Sequence, residues 1–359
     1  MLEYAVKVSL ADSDGTAVGT EQTNATGSFD NLEAGKYKIT ATLSDGTTEK
    51  KKVEKTINIK NLDDMSAYLF VHFVDTQEDA TREQIYFSVS KDGKTWTTLN
   101  NKQPYLTSNV GTQGVRDPYI LRGEDGKFFI IATDLSVYNL KNNWTAAAQQ
   151  GSKSIVVWES SDLVNWSEAS LVKINNDNAG CTWAPEACYD PEKDEYMVFW
   201  ASVVSDDSYQ KYRIYRSYTK DFKTFSAPEL YIEEPNAVID TTIIDHEGTY
   251  YRFTKNEAKS SITMQECTSL SGDWKDVASY NLGSMTGYEG PTIYKLNGKN
   301  EWCLLLDYFS KSKGYKPFVT TDITKGEFTA DSDFSFDGTY RHGTVMPITQ
   351  AEYESLTAE

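Results

Sequence analysis

A strand, a short polar turn and an aromatic residue that opens the next strand recur along this chain, and that repetition limits its fold more than any other feature. The unit occupies residues 86–96, 157–166 and 214–225, returns more weakly at 262–274, and is seen again at 318–328. The closing aromatics Trp96, Trp166, Phe225, Trp274 and Phe328 lie 70, 59, 49 and 54 residues apart, enough each time for four strands and their loops. Self-similarity on this scale marks a repeat architecture, in which each unit buries its apolar face against its neighbours.

A second unit alternates with the first. It is a short motif, often with proline, followed by an apolar strand, a turn and an aromatic-rich strand. Its copies begin at Arg116-Asp117-Pro118, Trp183-Ala184-Pro185-Glu186, Ile239-Asp240-Thr241 and Tyr288-Glu289-Gly290-Pro291. A fifth copy, Arg341-His342-Gly343, comes last and has no strands after it. Its missing strands, 68–73 and the first hairpin, lie at the other end of the region. One blade shared between the two ends closes the ring and protects its edges. Residues 64–359 are therefore predicted to be all-β, a five-bladed β-propeller, and no stretch beyond residue 64 has sustained helical periodicity.

The first sixty residues read differently. Alternating positions at 4–10, a turn at Asp12-Ser13-Asp14-Gly15, a strand at 35–42 led in by Phe29-Asp30-Asn31-Leu32, and a last strand at 56–59 predict a small immunoglobulin-like β-sandwich over residues 1–63. Residues 50–55 read as solvated and 60–64 as the linker. With no paired acids, ligand cluster or nucleophile, this module is expected to be a spacer or a binding appendage. Met1 falls inside what reads as a partial sandwich, which suggests a trimmed N-terminus.

Thirty-five Lys and Arg stand against 53 Asp and Glu in the 359 residues, a net charge of −18. Such a surface repels phosphate backbones and anionic headgroups, so neither nucleic acid nor membrane is an expected partner, while a neutral sugar is unaffected. No apolar run approaches the roughly 18 residues of a membrane span, and the first residues lack the charged and apolar regions of a signal peptide. A secreted protein without its leader would read the same, so a secreted or bacterial cell-surface location is expected, with the cytoplasm as the alternative. Cys181, Cys188, Cys267 and Cys303 form no CxxC pair and are accompanied by only three histidines, which argues for free thiols over a zinc site or a disulfide scaffold. The 23 Tyr, 15 Phe and 8 Trp suit half-buried strands and sugar-stacking surfaces alike. A monomer is expected.

In a propeller the first strand of each blade lines the central channel, so the five strand starts converge at one end of it. They supply Asp117, Glu186 beside Trp183, Asp240, Glu289 and His342. Carboxylates brought into one small space shift one another's titration, an arrangement that costs stability and gains nothing for a scaffold. Two carboxyls facing each other across a cleft are what glycosidic hydrolysis requires: one protonates the leaving oxygen, and the other deprotonates water or attacks the anomeric carbon. Trp183, Tyr119, Tyr288 and Phe309 are candidate walls for sugar faces.

At these residues the sequence resembles glycoside hydrolase family 43, five-bladed propeller enzymes acting on arabinose- and xylose-containing polysaccharides. The resemblance covers about residues 65–350 and rests on Asp117-Pro118, Trp183-Ala184-Pro185, Ile239-Asp240 and Glu289-Gly290-Pro291 in that order. It implies Asp117 as general base, Asp240 as modulator and orienter, and Glu289 as general acid, in an inverting mechanism. The residues themselves offer a candidate substrate site of Trp183, Arg116, Tyr119, Glu186, Tyr288, Phe309 and Arg341. His342 falls where relatives place a channel histidine near a calcium ion or its waters, an ion with a structural role, since the chemistry itself requires no cofactor. Arg116 departs from the small residue or histidine expected before the base; it would either lower the pKa of Asp117 or narrow the pocket. The expected partner is a plant polysaccharide or oligosaccharide, and the expected activity is removal of terminal α-L-arabinofuranosyl units. β-Xylosidase, endo-arabinanase and a non-catalytic carbohydrate-binding propeller are the alternatives.

Overall fold

Unbroken apolar runs such as 128–132 and 302–306 can be buried only where both faces of a strand are covered. The computed structural model, which describes residues 5–23, 35–45, 48–59, 64–74 and 79–358, shows how they are covered. The chain divides into two compact units, Met1–Met65 and Ser66–Glu359.

In the first unit β1 (Ala5–Asp12), β2 (Ala17–Thr23), β3 (Gly35–Ser44) and β4 (Glu49–Ile59) form one antiparallel sheet in the order β2-β1-β3-β4. The solvated stretch and the last strand expected separately at 50–59 are one continuous strand. The second sheet that a sandwich requires is not seen among the described residues, and the expected lead-in at 29–32 and most of the linker at 60–64 lie outside them.

The second unit begins with β5 (Met65–Phe73), β6 (Tyr86–Ser90) and β7 (Thr95–Thr98). Four sheets follow in sequence. The first holds β8 (Val115–Arg122), β9 (Phe128–Asp134), β10 (Ser154–Ser160) and β11 (Ser170–Lys173), and the second β12 (Trp183–Asp190), β13 (Glu195–Ser202), β14 (Arg213–Thr219) and β15 (Glu229–Ile232). The third holds β16 (Val238–His246), β17 (Thr249–Asn256), β18 (Ser261–Cys267) and β19 (Lys275–Asp276), and the fourth β20 (Glu289–Lys295), β21 (Trp302–Asp307), β22 (Tyr315–Thr320) and β23 (Thr329–Ala330). The fifth sheet joins the two ends: β24 (Ser335–Phe336) and β25 (Arg341–Thr349) complete it in the order β24-β7-β6-β5-β25. The parallel addition of β24 to β7 was not expected from the sequence. The inner strands touch in a closed cycle, β25 to β8 to β12 to β16 to β20 and back to β25.

Each pair of neighbouring sheets encloses its own apolar cluster, and successive residues of a middle strand feed alternate clusters. Phe128, Ile130 and Ala132 of β9 pack toward the fifth sheet, and Phe129 and Ile131 toward the second. Val198 and Trp200 of β13 face the first sheet, and Met197, Phe199 and Ala201 face the third. The polar residue of the repeated turn has a local task. The carboxylates of Asp92, Asp162 and Asp221 each accept two backbone N–H bonds two and three residues on, at 2.7–3.0 Å. In the weaker third-sheet copy Ser269 makes one such contact, at 3.3 Å. Two short helices stand outside this pattern, α1 (Trp144–Gln149) and α2 (Gln350–Thr357). Thr349 and Glu352 close α2 with a capping box, and Glu352 also takes a two-pronged ion pair from Arg122. All four cysteines are free thiols.

Candidate active site

Four of the five inner strands, β8, β12, β16 and β20, begin with the same irregularity. Their pairing slips between Arg116 and Tyr119, Trp183 and Glu186, Ile239 and Thr241, and Glu289 and Thr292. The second residue of each start is left-handed: Asp117 (φ 49°), Ala184 (φ 47°), Asp240 (φ 49°) and Gly290 (φ 52°). For residues other than glycine this backbone costs about 1–3 kcal/mol, and such strain collects at functional sites. The bulges produce two tiers. The first residues, Arg116, Trp183, Ile239 and Glu289, join Arg341 of β25 in the wall of one cleft of about 840 Å³. Of the second residues, Asp117 and Asp240 gather around His342. Gly290 is needed there for space as well as φ, because a Cβ on it would lie 2.7 Å from the His342 ring.

In this inner tier His342 Nδ1 stands 3.4 Å from Asp117 Oδ1 and 3.9 Å from Asp240 Oδ1. Thr133 donates to Asp117 Oδ2 at 3.0 Å and accepts from the Ala184 N–H at 2.8 Å, tying the first sheet to the second. Asp240 Oδ2 accepts from the Gly290 N–H at 3.1 Å. Burial would raise Asp117, but the hydrogen bond and charge of His342, with Arg116 and Thr133, hold its carboxyl below the ordinary range. Burial pushes Asp240 up to about 6 despite His342 and Lys255, with Glu289 and Asp117 adding to the rise. For His342 burial works downward, yet Asp240, Asp117 and Glu186 carry it up to about 9. Burial pushes Glu186 up to about 8 against the charge of His342 and a hydrogen bond with Thr242. One of its oxygens has no hydrogen-bond partner.

Glu289 is pinned at the cleft wall from both sides. Lys255 Nζ lies 3.0 Å from Oε2 and Arg341 Nη2 3.2 Å from Oε1. Lys255 also meets Glu257 at 2.8 Å and sits over the Phe309 ring, 4.5 Å from its centre. Arg341 donates through Nε to the fully buried Asp307, which burial pushes up to about 6 against the charge of Arg341. Arg116 reaches Glu83 at 3.1 Å and lies between Phe73 and Trp144, 4.5 and 5.3 Å from the ring centres. Arg116 lines the cleft, and its charge lowers Asp117. Trp183 stacks on Tyr212 at 5.4 Å, with Trp144 edge-on at 6.2 Å.

The structure thus brings Asp117, Asp240, Glu289, Arg116, Trp183, Phe309, Arg341 and His342 to one centre. Three expected site residues, Tyr119, Tyr288 and Glu186, need correction. Tyr119 packs in the core between the first and second sheets, and Tyr288 stacks on Tyr308 at 4.4 Å between the third and fourth, so neither is in the cleft wall. Glu186 is not the second-sheet counterpart of Asp117. Ala184 holds that position, and Glu186 follows two residues on, buried and outside the cleft wall. The side chains beside His342 offer a calcium ion the carboxylates of Asp117 and Asp240, fewer oxygens than the roughly six to eight that calcium takes. Among the described residues no group of three or more His, Cys, Asp or Glu side chains could hold a metal ion.

Lys255, Asp307, Glu83, Trp144 and Tyr212 escaped the sequence reading. Two of them were within reach of it. Counting across each inner hairpin from the first-tier residue, Ile239 pairs with Lys255 and Glu289 with Asp307.

Residues 63–354 match a protein family described as "Probable glycosyl hydrolase domain". Over 345 residues the sequence is 30% identical to an α-L-arabinofuranosidase of Bifidobacterium longum subsp. longum. The match covers 82% of this chain and 32% of that enzyme, so the chain spans about a third of its relative's length. Among solved structures, a thermostable family-43 glycoside hydrolase is 19% identical with a TM-score of 0.46, over 66% of this chain and 77% of that one. The exo-β-1,3-galactanase of Phanerochaete chrysosporium is 17% identical with a TM-score of 0.46, over 63% and 53%.

Proposed function

The chain belongs to the family 43-related glycoside hydrolases, and on that premise we propose that it cleaves glycosidic bonds with inversion, releasing terminal α-L-arabinofuranosyl units from plant arabinan or arabinoxylan. The observation that carries this reading is the meeting of Asp117, Asp240 and Glu289 at one end of the ring, with Glu289 on the cleft wall and 14% of the Asp117 side chain exposed. The choice of sugar is supported by the name of the Bifidobacterium relative.

Glu289 gives its proton to the glycosidic oxygen, and the bond from the anomeric carbon breaks with its electron pair passing to that oxygen. Water adds to the carbon from the opposite face, and Asp117 takes the proton the water loses. Asp117 suits this task because its surroundings keep it ionised. Asp240 holds the Gly290 N–H beside the donor and presents a second carboxyl to it. Arg341 and the Trp183–Tyr212 stack are placed to hold the sugar. One proton thus passes from a carboxyl to the leaving oxygen and the other from water to a carboxylate.

Residues 64–359 would constitute the catalytic propeller, and residues 1–63 an immunoglobulin-like sandwich that binds polymer or spaces the enzyme. Chromogenic α-L-arabinofuranosides and β-D-xylosides test the activity. Release from the arabinofuranoside is expected; release from the xyloside alone would replace the sugar, and release from neither by a folded protein would remove the hydrolase reading.

A further inference from the structure

Building on the hydrolase reading, we propose that Lys255 is a positioning residue for the proton donor, holding Glu289 in place and stabilising the carboxylate that Glu289 becomes as the bond breaks. Lys255 belongs to β17 of the third sheet and reaches across the seam to Glu289 at the head of β20. Its side chain is 3% exposed and is fixed at three points: Glu289 Oε2 at 3.0 Å, Glu257 at 2.8 Å and the Phe309 ring at 4.5 Å. Burial of an ammonium works against its charge, yet Glu289, Asp240 and Glu257 outweigh that and keep Lys255 above its usual range, charged throughout the working pH.

A cation fixed against one oxygen of a proton donor acts differently on its two states. It gains nothing from the neutral acid and much from the carboxylate, so its attraction grows as the proton passes to the glycosidic oxygen and the C–O bond opens. A fixed charge of this kind needs no rearrangement at the moment of reaction, which a solvent-exposed lysine could not match. Arg341 serves the other oxygen and is shared with Asp307, as Lys255 is with Glu257. Asp240 and Asp307, the acidic groups nearest to Glu289 on neighbouring strands, oppose charge on it, and Lys255 offsets them.

Two glycosides of the sugar identified by the chromogen panel separate this role from a structural one. A 2,4-dinitrophenyl aglycone departs without a proton, whereas a methyl aglycone requires one. Lys255→Met is expected to lose about 10- to 100-fold more kcat on the methyl glycoside than on the dinitrophenyl glycoside. Lost folded enzyme lowers both rates alike and leaves their ratio unchanged. Lys255→Arg, which keeps the charge, should recover most of the ratio. A wild-type ratio in Lys255→Met, or a loss confined to KM, overturns the proposal. Glu289→Gln is the control for the underlying reading and should discriminate between the aglycones more strongly still. If Glu289→Gln discriminates and Lys255→Met does not, only the Lys255 proposal falls. If Glu289→Gln does not discriminate, or if wild-type enzyme cleaves neither glycoside, the donor assignment falls and takes the proposal with it.

Discussion

Asp117 and Asp240 hold the same place in two different sheets and have ended with opposite chemistry. Both are the third residue of an inner strand, both sit at φ 49°, and both face His342. Asp117 is held below the ordinary carboxylate range, whereas Asp240 is pushed up to about 6. The backbone cannot explain this, because it is shared. The neighbours do: Asp117 is 0.5 Å nearer His342 (3.4 against 3.9 Å), accepts a hydrogen bond from the Thr133 hydroxyl and has Arg116 next to it. Asp240 receives a backbone N–H and confronts Glu289 and Asp117. Symmetry of position supplies the acids, and the unmatched residues around them assign the roles.

The largest test of that difference is a pair of amides. On the proposed roles, Asp117→Asn removes the acceptor of the water proton and should lower kcat about 10³-fold, while Asp240→Asn removes an orienting acid and should lower it about tenfold. Equal losses on the chromogenic substrate would mean that the two positions share one role. The second test takes away the charge that separates them. Without the imidazolium in His342→Gln, Asp117 loses the leading influence that holds it down, so the acidic limb of the activity profile should move to higher pH by about one unit. An unmoved limb would show that His342 does not set the difference.

The smallest effect concerns Glu186, whose charge state acts on His342 from the other side. Its carboxyl lies at about 8 in the folded chain against an ordinary 4.5, so the native state keeps a proton that the unfolded chain has released. Stability therefore falls as pH rises from 4.5 to 8, and His342, at about 9 against 6.5, extends the fall to about pH 9. Glu186→Gln removes the first contribution, so Tm should decline less steeply between pH 6 and 8 than in the wild type. The same slope in both proteins would contradict the buried-acid description.

The ring and its shared blade were legible because they are written as spacing, and spacing survives without coordinates. Asp117 and Asp240 were legible for the same reason, as matched positions in two of the repeats, and Glu289 as the residue just before the matched Gly290. What the sequence concealed is the bulge. Trp183-Ala184-Pro185-Glu186 offers one acid, and only the slipped pairing shows that Ala184, not Glu186, occupies the equivalent place. Tyr119 and Tyr288 misled because aromatics beside a catalytic motif read alike whether they face a cleft or a seam between sheets. Lys255 and Asp307 lie on second strands, where a polar residue at a strand end looks ordinary until the hairpin register sets it against Ile239 or Glu289. Helix α2 left a signal in Thr349 and Glu352, but eight residues are too few for a periodic pattern to stand out.

The claim on which the account turns is that Asp117 activates water and never bonds to the sugar. Proton NMR of the first turnovers on an α-L-arabinofuranoside decides it. Inversion predicts that β-L-arabinofuranose appears first and mutarotates afterwards; initial appearance of the α anomer would require a covalent intermediate and would contradict the roles given to Asp117 and Glu289.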